Sequence, residues 1–476
     1  MTVNILLIGY AINFIFMIGV IFFDRREPAV SMAWVMCFLM LPFLGVLLFL
    51  IFGYGLKKHT KKHYVQKMEL NNNILKTFLK PAEDDILPTP ELRRHANLYK
   101  YLLNDAHSIC TYDNKVQIIT DGNEKFKSLL HDIENAKDSI NLLYFIIHND
   151  EIGKRVLDAL TRKANEGVEV RLLYDGFGSI LTPRRSFRKL GKCPYGHVAE
   201  FFPVRLFSFS KLNHRNHRKI AVIDGKIAYL GGMNIGDEYL SCKKLVWRDT
   251  HMRITGSAVN EIQKYFALDW EFSTNERLTN RLSKFFPMQT PASGADIPIQ
   301  IAACGPDSPA EEVKCGMIQM LYSAVKYAYI QTPYFVPDQA FLTAVTTAAE
   351  SGVDVRVMIP GTPDKLYVYY TTLSYIGALL EAGAKVYLYP GFIHSKSIVV
   401  DDEVSTIGTT NIDIRSFQLH FELNAFMYGK KVCGKCRDIF LADQEKCKAL
   451  TLDEYNRRGL RTVMCEGFFR LFSPIM

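Results

Sequence analysis

"NHRNHRKIAVIDGKIAYLGGMNIGDEY", Asn213 to Tyr239, sets two histidines, a lysine and an aspartate around a short apolar run at Ile220, Val222 and Ile223. "HSKSIVVDDEVSTIGTTNIDIRSF", His394 to Phe417, repeats the pattern. His217, Lys219, Asp224 and Asn234 in the first copy answer to His394, Lys396, Asp401 and Asn411 in the second, at identical offsets. Side chains at i and i+2 of a strand share a face, so each histidine points with its lysine. Asp224 and Asp401 fall at the strand ends. A single His-x-Lys is an ordinary solvated strand end, whereas two copies with matched Asp and Asn offsets form a pattern.

The repeat reaches further. "SINLLYFI" followed by "ANEGVEVRLLYDG" corresponds to "YAYIQTPYFV" followed by "AAESGVDVRVMIPG", with helical stretches "GKRVLDALTRKA" and "AFLTAVTTAAE" between. Strand, helix, strand and a later His-x-Lys strand, twice over, describe a duplicated α/β unit. Packed about a pseudo-twofold axis, the halves bring both His-Lys pairs to one cavity.

With 476 residues the chain holds two or three domains, and its net charge of +8 favours an anionic partner without choosing between nucleic acid and lipid. The ten cysteines lack disulfide-framework spacing and suit a reducing compartment. Cys433 and Cys436, in "VCGKC", read as two thiols one helical turn apart. Val3 to Phe23 and Ala29 to Leu56 carry no charge apart from the basic and acidic turn "DRRE" between them. Each is long enough to cross a hydrocarbon core of ~30 Å, so a two-helix transmembrane hairpin is expected at the amino terminus. Lys57, Lys58, Lys61 and Lys62 outnumber Arg25 and Arg26 of the turn, which places both termini and the catalytic body on the cytoplasmic side of the cell membrane.

The cavity expected from the repeat gathers two imidazoles, two ammonium groups and two amides, with no obvious carboxylate set for a metal. Cations and neutral donors suit a phosphate. Paired histidines supply a nucleophile and an acid for the leaving oxygen near neutral pH.

The two His-x-Lys-x4-Asp motifs resemble those of the phospholipase D superfamily. Together with "RREPAVSMAW", "WRDTHMRITG", "QTPYFVPD" and "GTTNIDIRSF", the chain resembles the bacterial cardiolipin synthases nearly end to end. The resemblance implies duplicated phospholipase D-like α-β-α sandwich halves. It implies a phosphatidyl transfer from one phosphatidylglycerol to another through a phosphohistidine, releasing glycerol, with no metal and no cofactor. On this chain His217 and His394 become the reacting pair, with His217 as nucleophile and His394 as acid and base. Lys219, Lys396, Asn234 and Asn411 hold the phosphate, and Asp224 and Asp401 orient the histidines. The Ser usual two residues before the Asn is here Gly232 and Thr409.

The expected organisation is a hairpin at 1–56, a linker with a helical segment at 57–115, and halves at 116–288 and 289–476. Glu422 and Asn424 of "FELN" are candidates to line the site. "RRSFRKLGK", with Arg184, Arg185, Arg188, Lys189 and Lys192, precedes Phe201, Phe202, Phe207 and Phe209 and reads as a surface for anionic headgroups. The carboxyl-terminal "EGFFRLFSPIM" fits either an interfacial or a core helix. The competing activities are a membrane-bound phosphodiesterase acting on phospholipid or nucleic acid, and a non-enzymatic scaffold. Intact duplicate motifs argue against the scaffold. A nuclease needs no hairpin, and its charge follows a groove. The expected partners are phosphatidylglycerol and anionic membrane lipids, not nucleic acid.

Overall fold

The strand Ser139–Tyr144 is buried throughout, with Ile140, Leu142 and Tyr144 packed on one face and Leu143 on the other. Its counterpart Tyr327–Gln331 behaves alike, Ala328 and Ile330 on one face and Tyr329 on the other. Both are central strands covered on two sides, which accounts for their continuous apolar character. The helices that follow are capped the same way: Asp150 accepts from the Gly153 amide at 3.0 Å and Asp338 from the Phe341 amide at 2.9 Å. Such a cap contributes about 1 kcal/mol. Each helix gives way to the next strand through a glycine at positive φ, Gly167 at 96° and Gly352 at 89°.

The computed structural model describes residues 2–23, 28–53, 58–78, 89–204, 213–240, 247–290, 293–308 and 310–475. Their main feature is one 16-stranded mixed sheet made of two matching blocks. The first runs Gly196–Phe201, Glu169–Asp175, Ser139–Tyr144, Ile220–Ile223, Ile227–Gly231, His251–Thr255, Cys110–Ile119. The second runs Lys385–Tyr389, Asp354–Pro360, Tyr327–Gln331, Ser397–Val400, Val404–Gly408, His420–Tyr428, Ile297–Cys304. In both, the first three strands are parallel and the remainder antiparallel. The blocks join edge to edge where Cys110–Ile119 pairs antiparallel with Ile297–Cys304. The duplication expected from the sequence is therefore a duplication of topology.

The amino-terminal segment is a helix at Thr2–Phe22 and a second, interrupted arm: Pro28–Met40, Leu44–Leu48 and a π-helical turn at Phe49–Gly53. The second span expected from the sequence is thus not one continuous helix, because Pro42 has no N–H for the Phe38 carbonyl. Asn13 makes good the loss, donating from Nδ2 to Phe38 O at 2.5 Å and to Leu41 O at 3.0 Å. Val20, Trp34, Phe38 and Phe49 pack between the arms, while Leu7, Phe14, Ile15, Phe22 and Leu39 point outward, each more than half exposed. With the side chains of residues 1–6 outside the described set, no helix among the described residues is long and apolar enough to cross a membrane.

The segment beyond it begins with a helix, Lys58–Phe78. It docks on the buried helix Ala258–Thr274, with Tyr64 donating to Asp269 at 2.7 Å and Lys67 to the Glu271 carbonyl at 2.9 Å. Phe201 and Phe202 are buried against Phe272 of that same helix and against Phe421. These two rings are core, not lipid-facing as expected, and Phe207 and Phe209 lie outside the described residues. Cys433 and Cys436 sit buried in the helix Lys430–Gln444 with their thiols pushed up by burial, Cys436 to about 12, which makes them inert.

Candidate active site

The motif strands clasp each other's half. Arg215–Asn216 pairs with the start of His420–Tyr428, and the His217 amide donates to Phe421 O at 2.9 Å. By the same rule Phe392–Ile393 pairs with Trp247–Arg248, and the His394 amide donates to Arg248 O at 2.6 Å. The residue after each accepting carbonyl is an acid, Glu422 in one case and Asp249 in the other. Both face the histidine of the opposite half: His217 Nδ1 lies 2.9 and 3.0 Å from the Glu422 oxygens, and His394 Nδ1 lies 2.6 Å from Asp249 Oδ2.

This corrects the role expected for Asp224 and Asp401. Asp224 accepts from the amides of Lys137, Asp138 and Ser139 at 2.8–2.9 Å, and Asp401 from those of Val325, Lys326 and Tyr327 at 2.7–2.9 Å. Each stands at a hairpin tip in the left-handed region, φ 52° and 53°, and caps the start of the neighbouring central strand. Fully engaged there, neither carboxylate reaches a histidine; these aspartates hold the fold.

Of the remaining expected residues, the histidines and asparagines meet at one cavity, and the lysines are buried beside the histidines without lining it. His217, Asn234, His394 and Asn411 line one cavity of about 820 Å³. Lys219 Nζ donates to His217 O at 2.6 Å, and Lys396 Nζ donates to His394 O, so each lysine buttresses the histidine two residues before it. Asn234 Oδ1 accepts from the Ile146 amide at 3.2 Å, which turns its amino group toward Tyr239 Oη at 3.4 Å. Behind His217 the backbone is pinned by Asp269, which accepts from Asn216 at 2.8 Å and Arg218 at 2.7 Å as well as from Tyr64.

Thr409 and Gly232 explain their own difference. Thr409 Oγ1 donates to Glu422 Oε2 at 2.5 Å, while a Cβ at Gly232 would stand 2.2 Å from Asp249 Oδ1. There is room for a hydroxyl beside one acid and not beside the other. Asp249 is served instead by the Thr250 amide at 2.7 Å.

Burial sets the electrostatics. It pushes Glu422 up to about 7 and Asp249 up to about 6, holds Lys396 down to about 8, and lowers Lys219 well below the usual lysine range. Both histidines fall well below the ordinary imidazole value through burial first and the neighbouring lysines second. A neutral imidazole that donates Nδ1–H to its carboxylate presents the Nε2 lone pair to the cavity, which is what a nucleophile or base requires. An anionic ligand reverses the balance, since its charge favours protonated lysines and an imidazolium.

Sequence reasoning flagged Glu422 as a lining residue but missed Asp249, and it missed His420, whose ring lies 5.6 Å from that of His217. The donor atoms of His217, His420 and Glu422 lie within 4.8 Å of one another, a ligand-like spacing. Two lysines beside them oppose a cation there, so the group fits an anion better than a metal.

The family described as "Cardiolipin synthase, PLD-like domain" matches residues 129–271 and 317–444. A cardiolipin synthase of Listeria monocytogenes is 41% identical, with 99% of each chain covered, and a major cardiolipin synthase of Bacillus subtilis is 42% identical, with 98% of each covered. The fold is similar to that of a phosphatidylserine synthase from Haemophilus influenzae, with a TM-score of 0.62 at 18% identity over 80% of this chain and 100% of that one. With the duplicated sheet, the crossed carboxylates and both motifs in place, the chain belongs to the cardiolipin synthase family of PLD-like proteins and is an enzyme of the phospholipase D superfamily.

Proposed function

We propose that this enzyme makes cardiolipin from two molecules of phosphatidylglycerol. The observation that carries the reading is the facing of His217 and His394 across one cavity, each held by a carboxylate of the other half, with Lys219 and Lys396 beside them. In the first step the His217 Nε2 lone pair attacks phosphorus and a P–N bond forms. The P–O bond to the headgroup glycerol breaks as His394 protonates the departing oxygen. The second lipid then gives its primary hydroxyl proton to His394, its oxygen attacks phosphorus, and the P–N electrons return to His217. Lys219, Lys396, Asn234 and Asn411 neutralise and orient the non-bridging oxygens.

The purified protein with phosphatidylglycerol in mixed micelles tests this reading. Cardiolipin and glycerol are expected in equal amounts, and EDTA is expected to leave the rate within about twofold. Phosphatidic acid as the sole lipid product would make the enzyme a hydrolase. Loss of activity in EDTA, restored by one metal, would refute the metal-free route.

The membrane setting belongs to the same proposal. The outward apolar side chains of the amino-terminal arms support insertion into a bilayer, with the lysine-rich start of the next helix on the cytoplasmic face. The cavity lining includes exposed Phe177, Tyr367, Phe468 and Phe472, the last two from the carboxyl-terminal segment. Acyl chains fit that rim. The exposed Arg184 and Lys189 nearby in sequence are each paired with an acid, Glu200 and Asp158, so they support headgroup contact less than the apolar rim does. Single cysteines near Lys100, in a cysteine-free protein, are expected to resist an impermeant thiol reagent in whole cells and to react after lysis. Labelling of intact cells would overturn the orientation.

A further inference from the structure

Beyond their shared residues the two catalytic copies diverge on one side. Two residues before His217 stands Arg215, and two residues before His394 stands Phe392. On the clasping strands His420 is the partner of Arg215, and Trp247 the partner of Phe392. Four residues after the paired asparagines come Arg415 in one copy and Glu238 in the other. The His394 flank is therefore aromatic, with Trp247 4.6 Å from Phe392 and 5.1 Å from His394. The His217 flank has one ring too, Phe145 at 4.9 Å, but adds Arg215 and Arg415 with His420, whereas the cation acting on His394 from the rim is Lys365 alone among the lining residues. A duplicated scaffold has no need of this difference, whereas a ligand with an anionic part on one side does.

Arg215, Arg415 and His420 all line the cavity that holds the reacting histidines. Arg215 is 2% exposed, donates to Phe202 O at 3.0 Å, lies 3.6 Å from Asp175 and sits against the Phe177 ring at 5.2 Å. Arg415 enters from the other half and donates to Asn213 O at 3.2 Å, two residues from Arg215. Two guanidinium groups from different halves, Arg215 buried and Arg415 half-buried, thus converge on the cavity beside the reacting histidines. Asp175 and Glu200 act on Arg215 and Asp413 on Arg415, which holds both guanidinium groups in place at the cavity wall.

We propose that Arg215 and Arg415, with His420, bind the phosphodiester of the acceptor lipid. The inference rests on the reading that the acceptor is itself an anionic glycerophospholipid. Its attacking hydroxyl and its phosphorus are separated by a three-carbon headgroup. One i to i+2 step along a strand, about 6.6 Å, separates the Arg215 and His217 positions and matches that reach. Guanidinium forks suit a diester phosphate, and the subsite favours a phosphate-bearing acceptor over water or a neutral alcohol at the same phosphohistidine.

The test is a competition in mixed micelles between phosphatidylglycerol and 1-butanol as acceptors, reading the ratio of cardiolipin to phosphatidylbutanol. In the full-length protein Arg415→Gln is expected to lower that ratio tenfold or more, with part of it recovered in Arg415→Lys. Arg215→Gln is expected to move it the same way, and either variant suffices if the other fails to fold. An unchanged ratio, with both products falling in step, would overturn the subsite and leave the arginines structural. Wild-type protein that makes phosphatidylbutanol but no cardiolipin would instead overturn the underlying reading, and the subsite with it.

Discussion

Asp249→Asn and Glu422→Gln are expected to lower cardiolipin formation by about 10²- to 10⁴-fold with little change in thermal unfolding. Each carboxylate accepts from the Nδ1 of a histidine in the other half, at 2.6 Å for Asp249 and 2.9 Å for Glu422. An amide in its place fits the space but can present its N–H to the ring, which selects the tautomer that blocks Nε2. It also withdraws the charge that stabilises the imidazolium formed in each step. Asp224→Ala and Asp401→Ala are expected to do the opposite. Each strips the partner from three strand-starting amides, at a cost of about 1–3 kcal/mol, and lowers the unfolding temperature while the folded fraction keeps its chemistry. Turnover and thermal unfolding measured side by side on the four variants separate the roles. Near wild-type turnover in Asp249→Asn and Glu422→Gln would remove the carboxylates from the mechanism.

This division shows where the sequence was readable. The motif residues, the repeat and the α/β class were legible because duplication prints the same local pattern twice. His217 and His394 lie far apart in the chain, yet their matched offsets announced a common site. Their acids were hidden for the converse reason. Glu422 is 205 residues from His217 and Asp249 is 145 from His394, contacts made only when the halves clasp. Their offsets also differ, with Asp249 fifteen residues after Asn234 and Glu422 eleven after Asn411, so the repeat did not align them. Asp224 and Asp401 misled because a hairpin-tip aspartate that caps a neighbouring strand has the same spacing as a catalytic partner. Phe201 and Phe202 misled because the rings that bury them, Phe272 and Phe421, lie about 70 and 220 residues downstream. The second span expected from the sequence runs straight through Pro42, and the compensation by Asn13 of the facing arm was not legible.

The second large effect is expected at His394. Glycerol leaves as an alcohol only if its oxygen is protonated, so His394→Ala should lower turnover of phosphatidylglycerol by about 10²- to 10⁴-fold. A phosphatidyl nitrophenol leaves without that proton. The same variant should therefore still release nitrophenol in a single burst stoichiometric with protein, and then stall, because no base remains to activate the incoming hydroxyl. His217→Ala should give no burst with either substrate. The contrast follows from geometry as much as chemistry: both rings reach the cavity, each is fixed by its own carboxylate, and removing one leaves the other in place.

The most direct measurement is the covalent adduct itself. His394→Ala protein is mixed with the nitrophenyl substrate, quenched in alkali to preserve a phosphoramidate, digested and read by mass spectrometry. The expected result is a phosphatidyl group on His217 in stoichiometric amount and none in His217→Ala protein. An adduct on His394 in the His217→Ala protein, with none on His217, would exchange the two roles. Nitrophenol release without a phosphohistidine at either position would contradict the account.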